Sequence, residues 1–140
     1  MNQTITPYLL YEDCEAALDF MTRAFGFEEV LRYTGAEGYV NHAETRLGDF
    51  SVYLGDPGSQ YRNPRHTGHE SVGIYVIVDD VDAHHERARR EGAEITEEPA
   101  DQDYGHRRYS ARDPEGHHWY FAHAVKDVSA EDWGAAVATA

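Results

Sequence analysis

Three sets of side chains in this 140-residue chain could do chemistry: nine histidines, the carboxylates beside them, and ten tyrosines. His42 and Glu44 stand at i and i+2. On a strand they share one face and could act as an acid–base pair. The other histidines come as neighbours. His84-His85 lie in a helical stretch and point about 100° apart, so they cannot readily share one ion. His117-His118 lie in a strand-like stretch and face opposite sides. Cys14 is the single cysteine, which excludes an internal disulfide and a cysteine-based zinc site. It opens a helix, where a thiolate could be stabilised, but Asp13 and Glu15 oppose ionisation and a packing role is expected. No nucleophile turn and no phosphate-cradling glycine loop is present.

Composition narrows the function classes. The chain holds 26 Asp and Glu against 12 Lys and Arg, a net charge of -14. Nucleic acid is excluded as a partner, because a phosphate backbone needs a basic face. The main cationic cluster, Arg87, Arg89 and Arg90, is interleaved with Glu86 and Glu91. The acidity favours a cationic ligand, or simply a solvated surface. No apolar run approaches the roughly 20 residues of a membrane helix, so no membrane is expected. Met1-Asn2-Gln3-Thr4 lacks a signal-peptide pattern. The expectation is a single-domain, cytoplasmic protein.

The elements that would position these residues occur twice. Tyr8 to Ala16 aligns with Tyr75 to Ala83 at an offset of 67 residues, and Val52-Tyr53-Leu54 aligns with Trp119-Tyr120-Phe121 at the same offset. Each copy opens with a short apolar strand, about 4–11 and 71–78. A carboxylate follows to cap a helix: Asp13, then Asp79 or Asp80. Helix one carries Ala16, Ala17, Phe20, Met21 and Ala24 at helical spacing and stops at Gly26; helix two runs from Val81 to Glu91 and stops at Gly92. Three strands then follow, about 27–34, 39–47 and 50–55, and about 94–99, 106–112 and 117–123. Gly48-Asp49 reads as a two-residue hairpin, and Asp113-Pro114-Glu115-Gly116 as a four-residue turn. The expected fold class is α+β: two βαβββ modules (about 4–56 and 71–124) forming cupped, mostly antiparallel sheets around a pocket. They fill residues 1–125, with a linker over 57–70. Residues 126–140 form a tail with a short helix from Ala130 to Ala138, docked by Trp133.

This arrangement resembles a known family. The duplicated module, Tyr11-Glu-Asp-Cys-Glu-Ala-Ala-Leu-Asp-Phe20, Ala24-Phe-Gly-Phe27, His42-Ala-Glu44, Leu47-Gly-Asp49 and Tyr109-Ser-Ala-Arg-Asp-Pro-Glu-Gly-His-His-Trp119 are similar to the vicinal oxygen chelate superfamily. Within it the nearest likeness is to the glyoxalase/bleomycin-resistance group, with its PhnB-like branch. The resemblance covers about residues 4–124 and implies a small-molecule pocket, usually in a homodimer. Family enzymes hold a divalent ion with His, Gln or Glu on the first and last strand of each module. By the motif register those positions are Thr6, Tyr53, Gly73 and Tyr120. None is a usual ligand for such an ion, so no metal and no cofactor is expected.

Strand parity maps the pocket. A two-residue loop at Gly48-Asp49 pairs Glu44 with Tyr53 and His42 with Gly55, on a polar-aromatic face. Leu47, Phe50, Thr45, Val52, Ala43 and Leu54 take the opposite face, toward helix one. A four-residue turn in copy two pairs Arg112 with His117 and Tyr109 with Tyr120. The expected ligand-binding set is therefore Tyr8, His42, Glu44, Tyr53, Tyr75, Tyr109, His118 and Tyr120; the stretch Asp103-Tyr104-Gly105-His106-Arg107 resembles the family's loop near the pocket mouth, which implies a gating place for Tyr104 or His106. Aromatic walls with few polar groups suit a flat or cationic ligand; alternatively, the tyrosines simply fill the core. Glu44 would need a partner if buried, and His42 or Arg46 could supply it. The first expectation is a metal-free binding protein that sequesters an aromatic or cationic compound, as in antibiotic resistance. The second is a lyase or isomerase of glyoxalase type with a displaced metal site, or an enzyme using the His42/Glu44 pair. A third is a vestigial pocket with a protein partner.

Overall fold

The computed structural model describes residues 3–139; Met1, Asn2 and Ala140 lie outside them. The first module comprises β1 (Tyr8–Leu10), α1 (Cys14–Phe25), β2 (Glu28–Thr34), β3 (Val40–Leu47) and β4 (Phe50–Gly55). A short α2 (Pro64–Thr67) lies in the connection. The second module comprises β5 (Gly73–Ile77), α3 (Val81–Arg90), β6 (Glu94–Asp101), β7 (His106–Arg112) and β8 (His118–Ala124). Each module makes one four-stranded sheet, in the orders β1-β4-β3-β2 and β5-β8-β7-β6. The first strand of each runs parallel to the last and the other pairings are antiparallel. The class is α+β. Among the described residues no helix is long and apolar enough to cross a membrane.

Local chemistry explains the boundaries. Asp13 caps α1 by accepting from the Ala16 N–H at 3.0 Å, and Asp80 caps α3 through the Ala83 N–H at 3.1 Å. Gly26 ends α1 with a φ of 78°. The first hairpin has the register the parity argument required: Leu47 faces Phe50, Glu44 faces Tyr53 and His42 faces Gly55.

Three expectations need correction. In the second hairpin Arg112 pairs with His118 and Tyr109 with Phe121, one residue from the expected register. The cause lies in the turn. The Asp113 N–H still bonds the His117 carbonyl at 3.1 Å, so only three residues form the loop. The Asp113 carboxylate holds that loop by accepting from the Glu115 and His117 amides. The tail holds a 3-10 turn over Glu131–Trp133 where a helix to Ala138 was expected, since Gly134 turns at a φ of 96°. The connection was expected to be all loop but contains α2, which Asn63 caps.

The two modules share one core. Phe25 at the end of α1 meets Trp119 and Phe121 of the other sheet at ring-centroid distances of 5.3 and 4.8 Å. α1 and α3 pack on each other. The Asp-Pro-Glu-Gly turn clasps the modules from the side. Buried Glu115 accepts from the Glu12 N–H at 2.6 Å, the Asp13 N–H at 2.8 Å and the Asn63 amide at 3.0 Å. Buried Asp113 accepts from the Tyr11 hydroxyl at 2.7 Å and the Trp119 indole at 3.2 Å. The turn of module two thus satisfies amides at the start of the first helix. Glu115→Gln should cost about 2 kcal/mol, because a charge-assisted pair of bonds is lost and an amide donor meets backbone N–H. Urea unfolding will measure it, with no change in the slope expected.

His84 on α3 makes a second cross-module contact. Its Nε2 lies 2.9 Å from the Phe25 carbonyl and its Nδ1 2.5 Å from the Tyr109 hydroxyl. A carbonyl only accepts, so Nε2 carries the proton and the tyrosine donates to Nδ1. The ring is therefore held neutral. Burial, with help from the Arg87 charge, lowers its pKa below the usual imidazole value, while the Phe25 carbonyl pulls the other way. A lowered imidazole pKa means the unfolded chain takes up the proton first as pH falls. Stability from this group is full above about pH 6.5 and drains away below it. Thermal melts should fall more steeply between pH 7.5 and about 5.5 for the wild type than for His84→Gln.

Candidate functional site

The sheet faces turned away from the helices carry the candidate residues. They form two walls, one per module. On the first, the register aligns Tyr8, Tyr53 and Glu44 across β1, β4 and β3. His42 stands next along β3. Its Nε2 lies 2.9 Å from Glu44 Oε2, and its Nδ1 lies 3.0 Å from the Tyr8 hydroxyl. Glu44 thus takes His42 as its partner, while Arg46 reaches Glu28 instead. The Tyr8 ring stands edge-on to Tyr53 at 5.9 Å. It lies across Gly55, where a Cβ would come within 2.6 Å of the ring. Glycine there is what lets the phenol reach His42. His42 and Glu44 are about three-quarters covered, while Tyr8 is half exposed.

The second wall holds Tyr75, Tyr120 and His118. Tyr75 pairs with Tyr120 and their rings stack at 6.0 Å. The Tyr75 hydroxyl meets His106 Nδ1 at 2.7 Å and the Tyr104 hydroxyl at 3.2 Å. Burial, then the Tyr104 hydroxyl, pushes the Tyr75 phenol pKa up. Arg108 stacks over Tyr120 at 5.2 Å and is paired with Glu97 at 3.1 Å. His118 Nε2 lies 3.3 Å from the Thr96 hydroxyl, which meets Ser110 at 2.8 Å. Burial and the Arg112 charge lower the His118 pKa against the opposing pull of Glu70.

Tyr109 belongs to neither wall. The one-residue shift of β7 turns it into the core, fully buried beside Phe121 and bonded to His84. Ser110 takes its place opposite Tyr120. Ser110, Arg108 and Thr96 were missed for that reason, since their signal was readable only with the right register. The expected set also does not meet in one chamber. Among the described residues no hydrogen bond or ring contact joins Tyr8, His42, Glu44 or Tyr53 to Tyr75, His118 or Tyr120. The helices that join the modules lie behind both walls, so the walls open outward. Cys14 is buried, and burial with the Asp56, Asp13 and Glu115 charges pushes its thiol up to about 12, so it stays protonated.

The donor positions of a family metal site do not fit an ion here. Thr6 and two phenols are poor ligands for a hard or borderline cation. Gly73 offers no donor, and a Cβ there would come within 2.8 Å of the Tyr120 ring, which already fills the space. Among the described residues no group of three or more His, Cys, Asp or Glu is placed to hold a metal.

These two outward-facing walls on paired βαβββ sheets define the class. Residues 3–121 match the family described as the Glyoxalase/Bleomycin resistance protein/Dioxygenase superfamily, and the chain belongs to it. Over 144 aligned positions it is 34% identical to the uncharacterized protein Mb0911c of Mycobacterium bovis, covering 99% of this chain and 95% of that one. Among solved structures it is similar to TioX from Micromonospora sp. ML1, at a TM-score of 0.72 and 34% identity, over 88% of this chain and 99% of that one. A family member from Nocardioides shares the fold at a TM-score of 0.67 and 22% identity, over 92% and 88% of the two chains.

Protein incubated with zinc, nickel or manganese and then desalted should carry only substoichiometric metal by elemental analysis. A stoichiometric ion would overturn the reading of the Gly73–Tyr120 packing.

Proposed function

We propose that this protein is a metal-free binder that sequesters a small aromatic or cationic compound, and that it works as a homodimer. The carrying observation is the pair of half-sites. Each wall is aromatic with a few polar groups, the composition of a ligand pocket, yet each is open. A second copy, docked so that its module two faces module one, would close both at once by two-fold symmetry. The apolar residues available for that contact include Phe50, Val72, Tyr75 and Ile77, all more than 40% exposed.

Charge points to the ligand class. Glu44 Oε2 accepts from His42 Nε2, and among the described residues no arginine or lysine pairs with it. A carboxylate with no fixed arginine or lysine beside it, on a wall of tyrosine rings, favours an organic cation with a flat body. The net charge of -14 draws cations to the whole surface.

Light scattering should give a dimer, and Ile77→Asp should shift it toward monomer. A thermal-shift screen should find planar organic cations that raise the wild-type midpoint. Glu44→Gln should weaken them about tenfold, a loss of about 1.4 kcal/mol. Neutral aromatics of the same shape should be much less affected by that change. A monomer that binds such cations undiminished would refute the shared-pocket arrangement.

A further inference from the structure

Tyr8, His42 and Glu44 form one continuous hydrogen-bonded chain. The steps are 3.0 Å from phenol to imidazole and 2.9 Å from imidazole to carboxylate. A carboxylate only accepts, so the proton of His42 sits on Nε2, toward Glu44. In the neutral imidazole Nδ1 is then a lone pair, to which the Tyr8 hydroxyl donates. The order is hydroxyl, base, orienting carboxylate, which is the arrangement that activates a nucleophile on unrelated folds. A phenol is also a stronger acid than an aliphatic hydroxyl, so a weaker base suffices to activate it.

The surroundings agree with that role. Tyr8 is 53% exposed on the outer wall, so an acyl group can reach its oxygen. Gly55 leaves the space the ring needs, and Tyr53 braces it edge-on. The second module supplies a built-in comparison. Tyr75 meets His106 at 2.7 Å, but among the described residues no carboxylate bonds that imidazole, and the Tyr75 oxygen is shared with Tyr104. Only the first wall has the third member.

We propose that Tyr8 is a catalytic nucleophile and that this wall hydrolyses small activated aryl esters. The proposal rests on the first wall being ligand-facing, as above, and adds a reaction to it. Tyr8 Oη attacks the ester carbonyl carbon, forming an acyl–tyrosine bond, while the phenol proton passes to His42 Nδ1. Glu44 stabilises the imidazolium. The bond to the aryl oxygen breaks, and the departing oxygen takes the proton from His42. Water then attacks the acyl–tyrosine with His42 accepting its proton. The acid leaves and Tyr8 regains its proton. No external oxidant or cofactor enters.

The test uses the full chain and 4-nitrophenyl acetate, reading nitrophenolate release and mapping acetyl groups by peptide mass. The expected result is a burst followed by steady release, with acetyl first on Tyr8. Tyr33 and Tyr39 are also exposed and serve as controls within the same molecule. Tyr8 should label about a hundredfold faster than either, the size of effect a placed general base provides. Tyr8→Phe should abolish the burst. His42→Gln should slow labelling about a hundredfold. Glu44→Gln should slow it as well. Labelling of Tyr8 at the pace of Tyr33 and Tyr39 overturns the proposal without relying on any variant. A stable acetyl-Tyr8 with no steady release overturns the hydrolysis. Planar cations measured in parallel separate the two readings: binding without acetylation removes the reaction and leaves the binder.

Discussion

The structure depends on one turn. Asp113 and Glu115 are buried carboxylates, and each is saturated with donors from elsewhere in the chain. A buried charge is tolerable only when it is met this way. Glu115 answers amides at the entry to α1, and Asp113 answers the Tyr11 phenol and the Trp119 indole. One four-residue segment of the second module therefore fixes where the first helix begins, how the linker returns and how the two sheets sit across their shared core. The orientation of both walls follows from that clasp and from the packing of α1 on α3.

The same turn decides which residues face outward. The second hairpin keeps one more paired residue than its length suggests, because the Asp113 carboxylate holds the loop from within. A strand alternates faces residue by residue, so this single step exchanges Tyr109 for Ser110. It also sends the Tyr109 hydroxyl inward to His84, where it helps hold the modules together. The two copies of the module are therefore alike in topology and unlike in the side chains they present. The first presents phenol, imidazole and carboxylate in a line. The second presents a stacked tyrosine pair with arginine and hydroxyl groups around it.

The position where relatives of this fold could hold an ion is used here for packing. Gly73 is the cradle for Tyr120, and Gly55 plays the same part for Tyr8. In each case a missing side chain lets a tyrosine ring lie flat across the sheet. Aromatic surface and a hydrogen-bonded acid–base chain are what the walls then offer. Both underlie the proposal of an organic ligand, whose sign the acidity of the chain would bias.

The sequence by itself determined much. The repeat at an offset of 67, the aspartate caps, the glycine stops and the first hairpin were all legible, because each depends on residues near one another in the chain. So was the poverty of the metal-equivalent positions, which follows from residue type. The shared face of His42, Glu44 and Tyr53 was legible too, since a two-residue loop leaves only one register. Three things needed the tertiary structure. The register of the second hairpin turned on how a carboxylate satisfies amides inside its own loop. The split of the expected pocket into two outward walls turned on helix packing behind the sheets. The Tyr8–His42–Glu44 chain turned on rotamers and on the gap at Gly55. Each of these depends on contacts between distant residues, for which periodicity carries no signal.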